Sequence, residues 1–198
     1  MEVQDVISLV SVILALGGLA FGLYQYYIAQ KWKRAEFAAQ QLEKLSADPE
    51  LDLCCKLLDW AIRISPVPEK YAALTDEKTY VHDWRILHQA MLPEESSDKA
   101  DWDWQHTMYR DTFDKLFNYL ERINHYISIN LISERDVTTL RYWLEQISDP
   151  RFLPPDKRTL FLRYIERYKY QGVLEMMRRF QVGGQVHKSN SVLSHEPA

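Results

Sequence analysis

The sequence has little of what several protein classes require. Its 198 residues include only two cysteines, Cys54 and Cys55, and adjacent cysteines cannot readily reach the geometry of a structural disulfide, so a disulfide-stapled scaffold is excluded. Six glycines are too few for a collagen-like or glycine-rich linker chain. The chain is otherwise 46% hydrophobic and 26% charged, which is the composition of a folded protein. We therefore expect one folded domain.

Charged residues and histidine are also absent from a run of 23 residues at positions 6–28. As a helix this run is about 34 Å long, enough to cross a hydrocarbon layer about 30 Å thick. Two alternatives are a buried core helix and a cleaved signal peptide. Core helices rarely have so long an uncharged run, and a signal peptide begins with basic residues, whereas Glu2 and Asp5 precede this run. The sequence predicts a transmembrane helix.

The residues that flank this helix predict its orientation. Acidic residues precede it, and a basic cluster follows it, so the positive-inside rule places its C-terminal end in the cytoplasm. Aromatic rings gather at the same end, where they suit the lipid headgroup layer. The predicted interface anchors are Tyr24, Tyr26, Tyr27, Lys31, Trp32, Lys33 and Arg34. We expect a single-pass protein of the plasma or inner membrane, with an external N-terminus at residues 1–5, a span at 6–28, a cytoplasmic helical domain at 29–182 and a flexible tail at 183–198.

Small and polar residues within the span recur alternately every three and four positions, the seven-residue repeat that keeps one helix face toward a partner. These residues are Ser8, Ser11, Ala15, Gly18, Gly22 and Gln25. Two of them, Gly18 and Gly22, form a GxxxG pair, which allows close approach of two helices in lipid. We predict that this seam packs against another transmembrane helix, either a second copy or a different subunit. The alternative is that small residues are simply common in membrane helices.

Beyond the span the residue pattern predicts only helices. The first helix continues to about Ser46, and Asp48-Pro49 starts a second one at residues 50–64. A third helix is expected after Thr75, ending near Met91, with Tyr80 on its core side. The Pro93 loop is expected to be exposed and acidic. The strongest amphipathic pattern, at residues 103–131, predicts the central core helix and ends at Leu131.

Two further helical regions complete the predicted all-α bundle. Ser133 and Asp136 have the spacing of a capping box and predict a helix that extends to Ile147. The last region, residues 155–180, is expected to be interrupted at Gly172 and to end at Gly183-Gly184. No strand is predicted. The predicted fold class is therefore all-α, with a single N-terminal transmembrane helix followed by a cytoplasmic helical bundle.

One segment carries a family resemblance. Residues 113–147, FDKLFNYLERINHYISINLISERDVTTLRYWLEQI, resemble the middle of a bacterial family of membrane-anchored helical domains of unknown function, the DUF4760 type. The resemblance implies an N-terminal span, an FxxxFExI-like helix, a short turn and a helix with an aromatic-rich W motif. This chain has Leu120 where the family has a phenylalanine before the glutamate. Because the family has no established activity, the resemblance implies no catalytic residue.

The charge is divided unequally along the chain. Residues 48–150 contain 11 basic and 20 acidic residues, whereas residues 151–188 contain 9 basic and 3 acidic ones. A predicted basic face contains Arg163, Arg167, Lys169, Arg178 and Arg179. It has three interpretations: binding to anionic lipid headgroups near the anchor, pairing with the acidic part of the same fold, and nucleic-acid binding. Pairing within the fold is the preferred interpretation and nucleic-acid binding the least favoured.

Motifs for catalysis, metals and cofactors are lacking. There is no HExxH, no glycine-rich phosphate loop and no GxSxG, so no catalytic, cofactor-binding or metal residues are predicted. Asp101, Asp103 and His106 could surround an ion, but the start of a helix explains the same residues. Glu121 and His125 could form an acid-base couple, although a simple side-chain pair on one helix face is the preferred explanation.

These patterns together predict a membrane-anchored accessory or scaffold subunit that acts through protein-protein association in a membrane complex. The predicted partners are the lipid bilayer and another transmembrane helix. The alternative is a membrane-tethered enzyme or signalling effector whose site has no recognised motif.

Overall fold

The structure is a computed structural model that describes residues 3–60, 63–93 and 102–182, with side chains omitted for residue 3 and residues 5–10. The expectations for Asp101, for the Ser8 side chain, for the acidic loop after Pro93 and for the tail at 183–198 lie outside these residues. Within them the fold is all-α apart from two very short strands, which confirms the predicted class.

Helix α1, Val3–Ala47, is one uninterrupted helix of 45 residues. At about 1.5 Å per residue it is roughly 68 Å long, which is about twice the diameter of a small domain. Its side chains are exposed from Ser11 to Glu36, apart from the half-buried Ile28, and burial begins at Ala38, which is 2% exposed. The predicted continuation of the span to about Ser46 is confirmed. The C-terminal quarter of α1 is therefore part of the folded domain.

The corner between α1 and α2 is fixed by one carboxylate. Asp48 accepts hydrogen bonds from the backbone N–H groups of Glu50 (3.0 Å) and Leu51 (3.2 Å), and so caps helix α2, Pro49–Asp59, as predicted. Lys115 donates to Asp48 and Glu50. Burial raises the pKa of Asp48, but these hydrogen bonds and the charge of Lys115 outweigh it, so the pKa is lowered overall.

Two three-residue strands contradict the expectation that the chain contains none. β1, Ile64–Pro66, pairs antiparallel with β2, Thr79–Val81, with Ser65 opposite Tyr80. Helix α2 therefore ends at Asp59 and not near residue 64, and α3, Trp84–Met91, starts eight residues later than predicted, after the cap Asp83. Prolines on both sides of Val67 prevent helix here, and backbone pairing across the hairpin supplies the hydrogen bonds instead. A 3₁₀ helix, Glu69–Leu74, lies between the strands.

Helix α4, Trp104–Ser128, is the centre of the domain, as its periodicity predicted. It packs against α2, α3 and helix α7, Gln171–Arg179, and buries an aromatic cluster with helix α6, Leu160–Arg167. The rings of Phe113 and Phe161 stack at 4.7 Å between centroids, and Phe117 lies 5.3 Å from Tyr170. Leu131, expected on the buried face of this helix, is instead 41% exposed because the helix ends three residues earlier.

The C-terminal third contains three short helices: α5, Leu140–Ser148, α6, Leu160–Arg167, and α7, Gln171–Arg179. The Ser133 and Asp136 capping box is confirmed, but it caps a 3₁₀ helix, Glu134–Val137, that precedes α5. The expected break at Gly172 is wrong. Helix α6 ends before Lys169, whose φ of 61° turns the chain, and Gly172 lies in the first turn of α7. Helix α7 also ends at Arg179, before the glycine pair that was expected to terminate it.

Candidate membrane interface

The N-terminal part of α1 is apolar, and none of its side chains that the structure describes is buried. Ser11–Ala47 is long and apolar enough to span a membrane, and it is the one such helix among the described residues. No residue from 11 to 36 is buried, and Leu14 is 70% exposed. A core helix would bury at least one face. The exposure of every face excludes that alternative for this helix within the isolated chain.

The predicted seam lies along this exposed segment. Its described members are all exposed: Ser11, Ala15, Gly18, Gly22 and Gln25. The Ser8 side chain lies outside the described residues. A Cβ atom added to Gly17, Gly18 or Gly22 would have no heavy atom within 4 Å beyond the local helix. These three glycines are therefore not required by packing against the described residues. Larger side chains at these positions would leave the fold of one copy unchanged.

The predicted interface anchors form a belt around α1. Tyr24, Tyr26 and Tyr27 are exposed, as are the basic residues that follow, and Trp32 is 73% exposed. Trp32 precedes Ala38, the first buried residue, by six positions, or about 9 Å along a helix. The folded domain therefore begins close to the belt, and the helix that connects them contains no glycine or proline hinge.

Helix α4 runs antiparallel to the domain part of α1. Three contacts show this, in order along α4. Lys115 pairs with Asp48 at 2.7 Å, the Tyr119 hydroxyl donates to the Gln41 carbonyl at 2.9 Å, and the Tyr126 ring is 5.2 Å from the Phe37 ring. The residue numbers rise along α4 while those of their partners fall. The C-terminus of α4 is therefore at the end of the domain where α1 enters. We call this the proximal end, at residues 34–38 of α1, and the opposite end of α4 the distal end.

The structure divides the predicted basic face between these two ends. Helix α7 runs in the same direction as α4, because the Val173 N–H donates to Glu121 at 3.0 Å while Arg179 contacts Glu134, beyond the end of α4, at 3.4 Å. Arg178 and Arg179 are thus proximal. Arg179 also pairs with Glu175 of its own helix, whereas Glu134 belongs to the acidic part of the chain with which the basic residues were expected to pair.

Arg163 and Arg167, by contrast, are distal. They line a cavity of about 320 Å³ between α3 and α6, next to Leu92, whose carbonyl accepts a hydrogen bond from Arg110. Arg110 precedes Tyr126 by 16 residues of α4, or about 24 Å. Lys169 lies between the two groups, at the turn after α6. A flat bilayer against the proximal end therefore cannot also contact Arg163 and Arg167.

The suggested chemical groups have structural partners. Asp103 caps α4 and lies 2.8 Å from His106 Nδ1, while His106 Nε2 is 3.0 Å from the Gln89 side-chain oxygen. These contacts match the helix-start explanation, and Asp101 lies outside the described residues. Glu121 accepts from the N-terminus of α7, and this contact, not His125, occupies its carboxylate. Among residues 3–60, 63–93 and 102–182 no group of three metal-ligating side chains is found.

Comparison with protein-family models, curated protein sequences and solved structures finds no match to this chain. The resemblance of residues 113–147 to a membrane-anchored family therefore stays a prediction.

The turn after α4 was missed from the sequence. Ile129 and Leu131 are 55% and 41% exposed at the proximal end, and Asn130 between them has a φ of 58°. Periodicity counted Leu131 as a core residue. Asn130 was the available signal, since asparagine tolerates the left-handed conformation that ends helices.

Proposed function

We propose that this chain is a single-pass membrane protein whose helical domain lies at the cytoplasmic side and acts as an accessory or scaffold subunit. The observation that carries the proposal is the exposure of the apolar side chains of α1 that the structure describes, from residue 11 to residue 27. Seven large aliphatic or aromatic side chains between residues 11 and 23 are more than half exposed: Val12, Ile13, Leu14, Leu16, Leu19, Phe21 and Leu23.

The free-energy cost of leaving these apolar side chains in water favours an apolar environment around α1. Burying one such side chain contributes about 1.5–3 kcal/mol, so seven together amount to roughly 10 kcal/mol or more. That is comparable to the whole free energy of unfolding of a typical domain, about 5–15 kcal/mol. Lipid can cover all sides of α1 at once, which no single groove on a soluble partner does. The basic residues that follow the apolar segment favour a cytoplasmic domain.

Association through the seam is the second part of the proposal. Lipid tails are as apolar as leucine, so close backbone contact and hydrogen bonds must hold transmembrane helices together. The Gly18 and Gly22 backbone is open for such contact, and Gln25 lies one turn further along the same face. The rigid link from the seam to the domain means that a partner bound in the membrane also positions the domain.

Protease protection tests the anchor and its orientation. In intact cells, protease added outside is expected to leave the domain uncut, and disruption of the membrane is expected to expose it. Digestion in intact cells would overturn the proposed orientation, and recovery of the full chain as a soluble monomer without detergent would overturn the anchor.

Substitution of the glycines tests the seam. Gly18→Leu with Gly22→Leu is expected to abolish association, measured by energy transfer between labelled copies in vesicles and by recovery of copurifying subunits. Gly17→Leu is the matched control, because Gly17 is equally open but lies outside the repeat. Equal association of all three proteins, or no association of the unsubstituted chain with itself or another subunit, would contradict the scaffold function.

A further inference from the structure

A helix-ending turn at the proximal end presents two apolar side chains to solvent. The Asn130 N–H donates to the Ile127 carbonyl at 3.0 Å, and the Leu131 N–H donates to the Tyr126 carbonyl at 2.9 Å. This pair of bonds is a Schellman motif, with Asn130 in the left-handed position. Ile132, by contrast, is 2% exposed and ties the turn to the core. The segment Ile129, Asn130 and Leu131, here called the tip, is thus a firmly held protrusion.

The contacts of α4 with α1 place the tip beside the anchor belt. Tyr126 is level with Phe37, to which its ring packs. Ser128, the last residue of α4, lies about 3 Å further toward the belt, and the tip follows it. Phe37 is only three residues, or about 4.5 Å, from Arg34. The tip is therefore at the height of the basic residues that end the proposed span.

Contacts between α1 and the 3₁₀ helix Glu134–Val137 support this placement on the α5 side of the tip. Burial raises the pKa of Asp136, but hydrogen bonds from Ser133 and the nearby positive charge of Arg34 outweigh it and lower the pKa. The other acidic residue of this segment, Glu134, contacts Arg179. Asp136 and Glu134 thus lie near cations of the same fold, while Arg135 and Arg178, like Glu36 of α1, are exposed at the same end.

We propose that the tip is a second membrane contact, in which Ile129 and Leu131 enter the headgroup layer of the leaflet where α1 emerges, beside anionic lipids attracted by Arg135 and Arg178. This inference rests on the proposed membrane anchor. An apolar pair flanked by exposed arginines has the chemistry of an interfacial contact. Two separate membrane contacts, α1 and the tip, fix the tilt and rotation of the domain. A single transmembrane helix leaves the domain free to rotate about the helix axis.

Fluorescence quenching in vesicles tests the inference. Single labels are placed at Leu19→Cys in the span, Leu131→Cys in the tip and Leu74→Cys as a matched control, in vesicles that contain anionic lipid and nitroxide-labelled lipid. Leu74 is also an exposed leucine, at 63%, and is the last residue of the 3₁₀ helix that is bound through Tyr71 to Asp111, in the distal half of α4. The native thiols are buried, and burial raises the pKa of Cys55 to about 12, so they should react little with the label. The unsubstituted protein, treated in the same way, measures any background labelling.

Quenching at residues 19 and 131, with none at residue 74, is the expected result. Quenching at residue 19 with residue 131 no more quenched than residue 74 would overturn the tip contact and leave the anchor intact. Absence of quenching at residue 19 would overturn the anchor and the tip contact with it. These outcomes separate failure of the inference from failure of the proposed function.

A second variant tests the two apolar side chains themselves. Ile129→Ser with Leu131→Ser removes them without opening the core, because both are exposed. A label at Ser128→Cys is expected to lose its quenching in this background while the label at residue 19 keeps it. Unchanged quenching at residue 128 would show that these side chains do not enter the lipid, and would overturn the proposal.

Discussion

The Tyr119 hydroxyl donates a hydrogen bond to the Gln41 backbone carbonyl across 2.9 Å, in the buried contact between α4 and the domain part of α1. Burial raises the pKa of Tyr119, so the hydroxyl stays protonated and remains a donor over the physiological pH range. This bond joins the proposed anchor to the core helix of the domain.

Tyr119→Phe tests the strength of that joint. Loss of one buried hydrogen bond is expected to lower the free energy of unfolding by about 1 kcal/mol. The local effect is measured by hydrogen exchange of the backbone amides of residues 38–47 in detergent micelles. This exchange should become faster in the variant. Tyr142→Phe is the control, because its hydroxyl binds Asp59 on the exposed surface and its loss should have little effect. Equal exchange in both variants would mean that the bond contributes nothing to the joint.

His82 predicts a pH dependence of stability. It is 3% exposed, its Nδ1 lies 2.8 Å from the Tyr109 hydroxyl, and burial lowers its pKa to about 4 despite the charge of Asp83. The unfolded chain, with the ordinary histidine value of 6.5, therefore binds the proton first. Stability should fall as the pH decreases from about 6.5 to 4, by up to about 3 kcal/mol in total.

Urea unfolding in micelles at pH 7.5, 6, 5 and 4 measures this effect. In His82→Gln the decrease between pH 6.5 and 4 should be much smaller, since no proton is taken up at this position. His125→Gln is the matched control, because His125 is an exposed histidine of α4, and it should behave like the unsubstituted chain. A pH profile that is identical for the unsubstituted chain and His82→Gln would refute the prediction.

Glu121 predicts a stabilising interaction with the start of α7. Its carboxylate accepts from the Val173 N–H at 3.0 Å, near the positive end of the helix dipole. Glu121→Ala should lower the free energy of unfolding by about 1–2 kcal/mol, and Glu121→Gln by less, because the amide oxygen still accepts the bond. Chemical unfolding in micelles measures both. Equal losses in the two variants would indicate a role for charge alone.

Gly172 is coupled to the same carboxylate. A Cβ at Gly172 would lie 2.8 Å from Glu121 Oε2, so alanine there must displace the carboxylate from Val173. Gly172→Ala should therefore be destabilising in the unsubstituted chain but neutral or stabilising with Glu121→Ala, since alanine favours the helix by about 1 kcal/mol. A double-mutant cycle measures the coupling, and strict additivity would disprove it.

Lys169 offers a stabilising substitution. Its φ of 61° is in the left-handed region at the end of α6, where the Tyr170 N–H reaches the Ile165 carbonyl at 3.0 Å. Glycine adopts this conformation without steric cost, so Lys169→Gly should raise the free energy of unfolding by about 1 kcal/mol. Lys169→Ala, which keeps the Cβ, is the control and should show no gain. Thermal unfolding in micelles distinguishes the two.

Local signals made much of the fold predictable. The Asp48-Pro49 pair predicted the start of α2 because capping and proline geometry act within one turn. The pattern from Phe113 to Ile127 predicted the core helix for a similar reason, since about four turns of periodicity specify one buried face. The hairpin was not predictable in this way, because each strand has three residues and exists only by pairing with the other.

The basic face shows where a linear reading failed. Arg163 and Arg179 are close in sequence and share a basic segment, yet α6 and α7 carry them to opposite ends of α4. The tip was missed for a related reason: Leu131 fits the helical repeat, but the left-handed turn at Asn130 takes it out of the core.

The uncharged run, its basic flank and the helical class were determined by the sequence alone, because solvation and helix periodicity depend on residues near one another in the chain. Which surface lies beside the point where α1 enters the domain was decided only by the tertiary structure. The direction of α4 depends on contacts such as Gln41 with Tyr119, and packing between residues 78 positions apart leaves no local trace in the sequence.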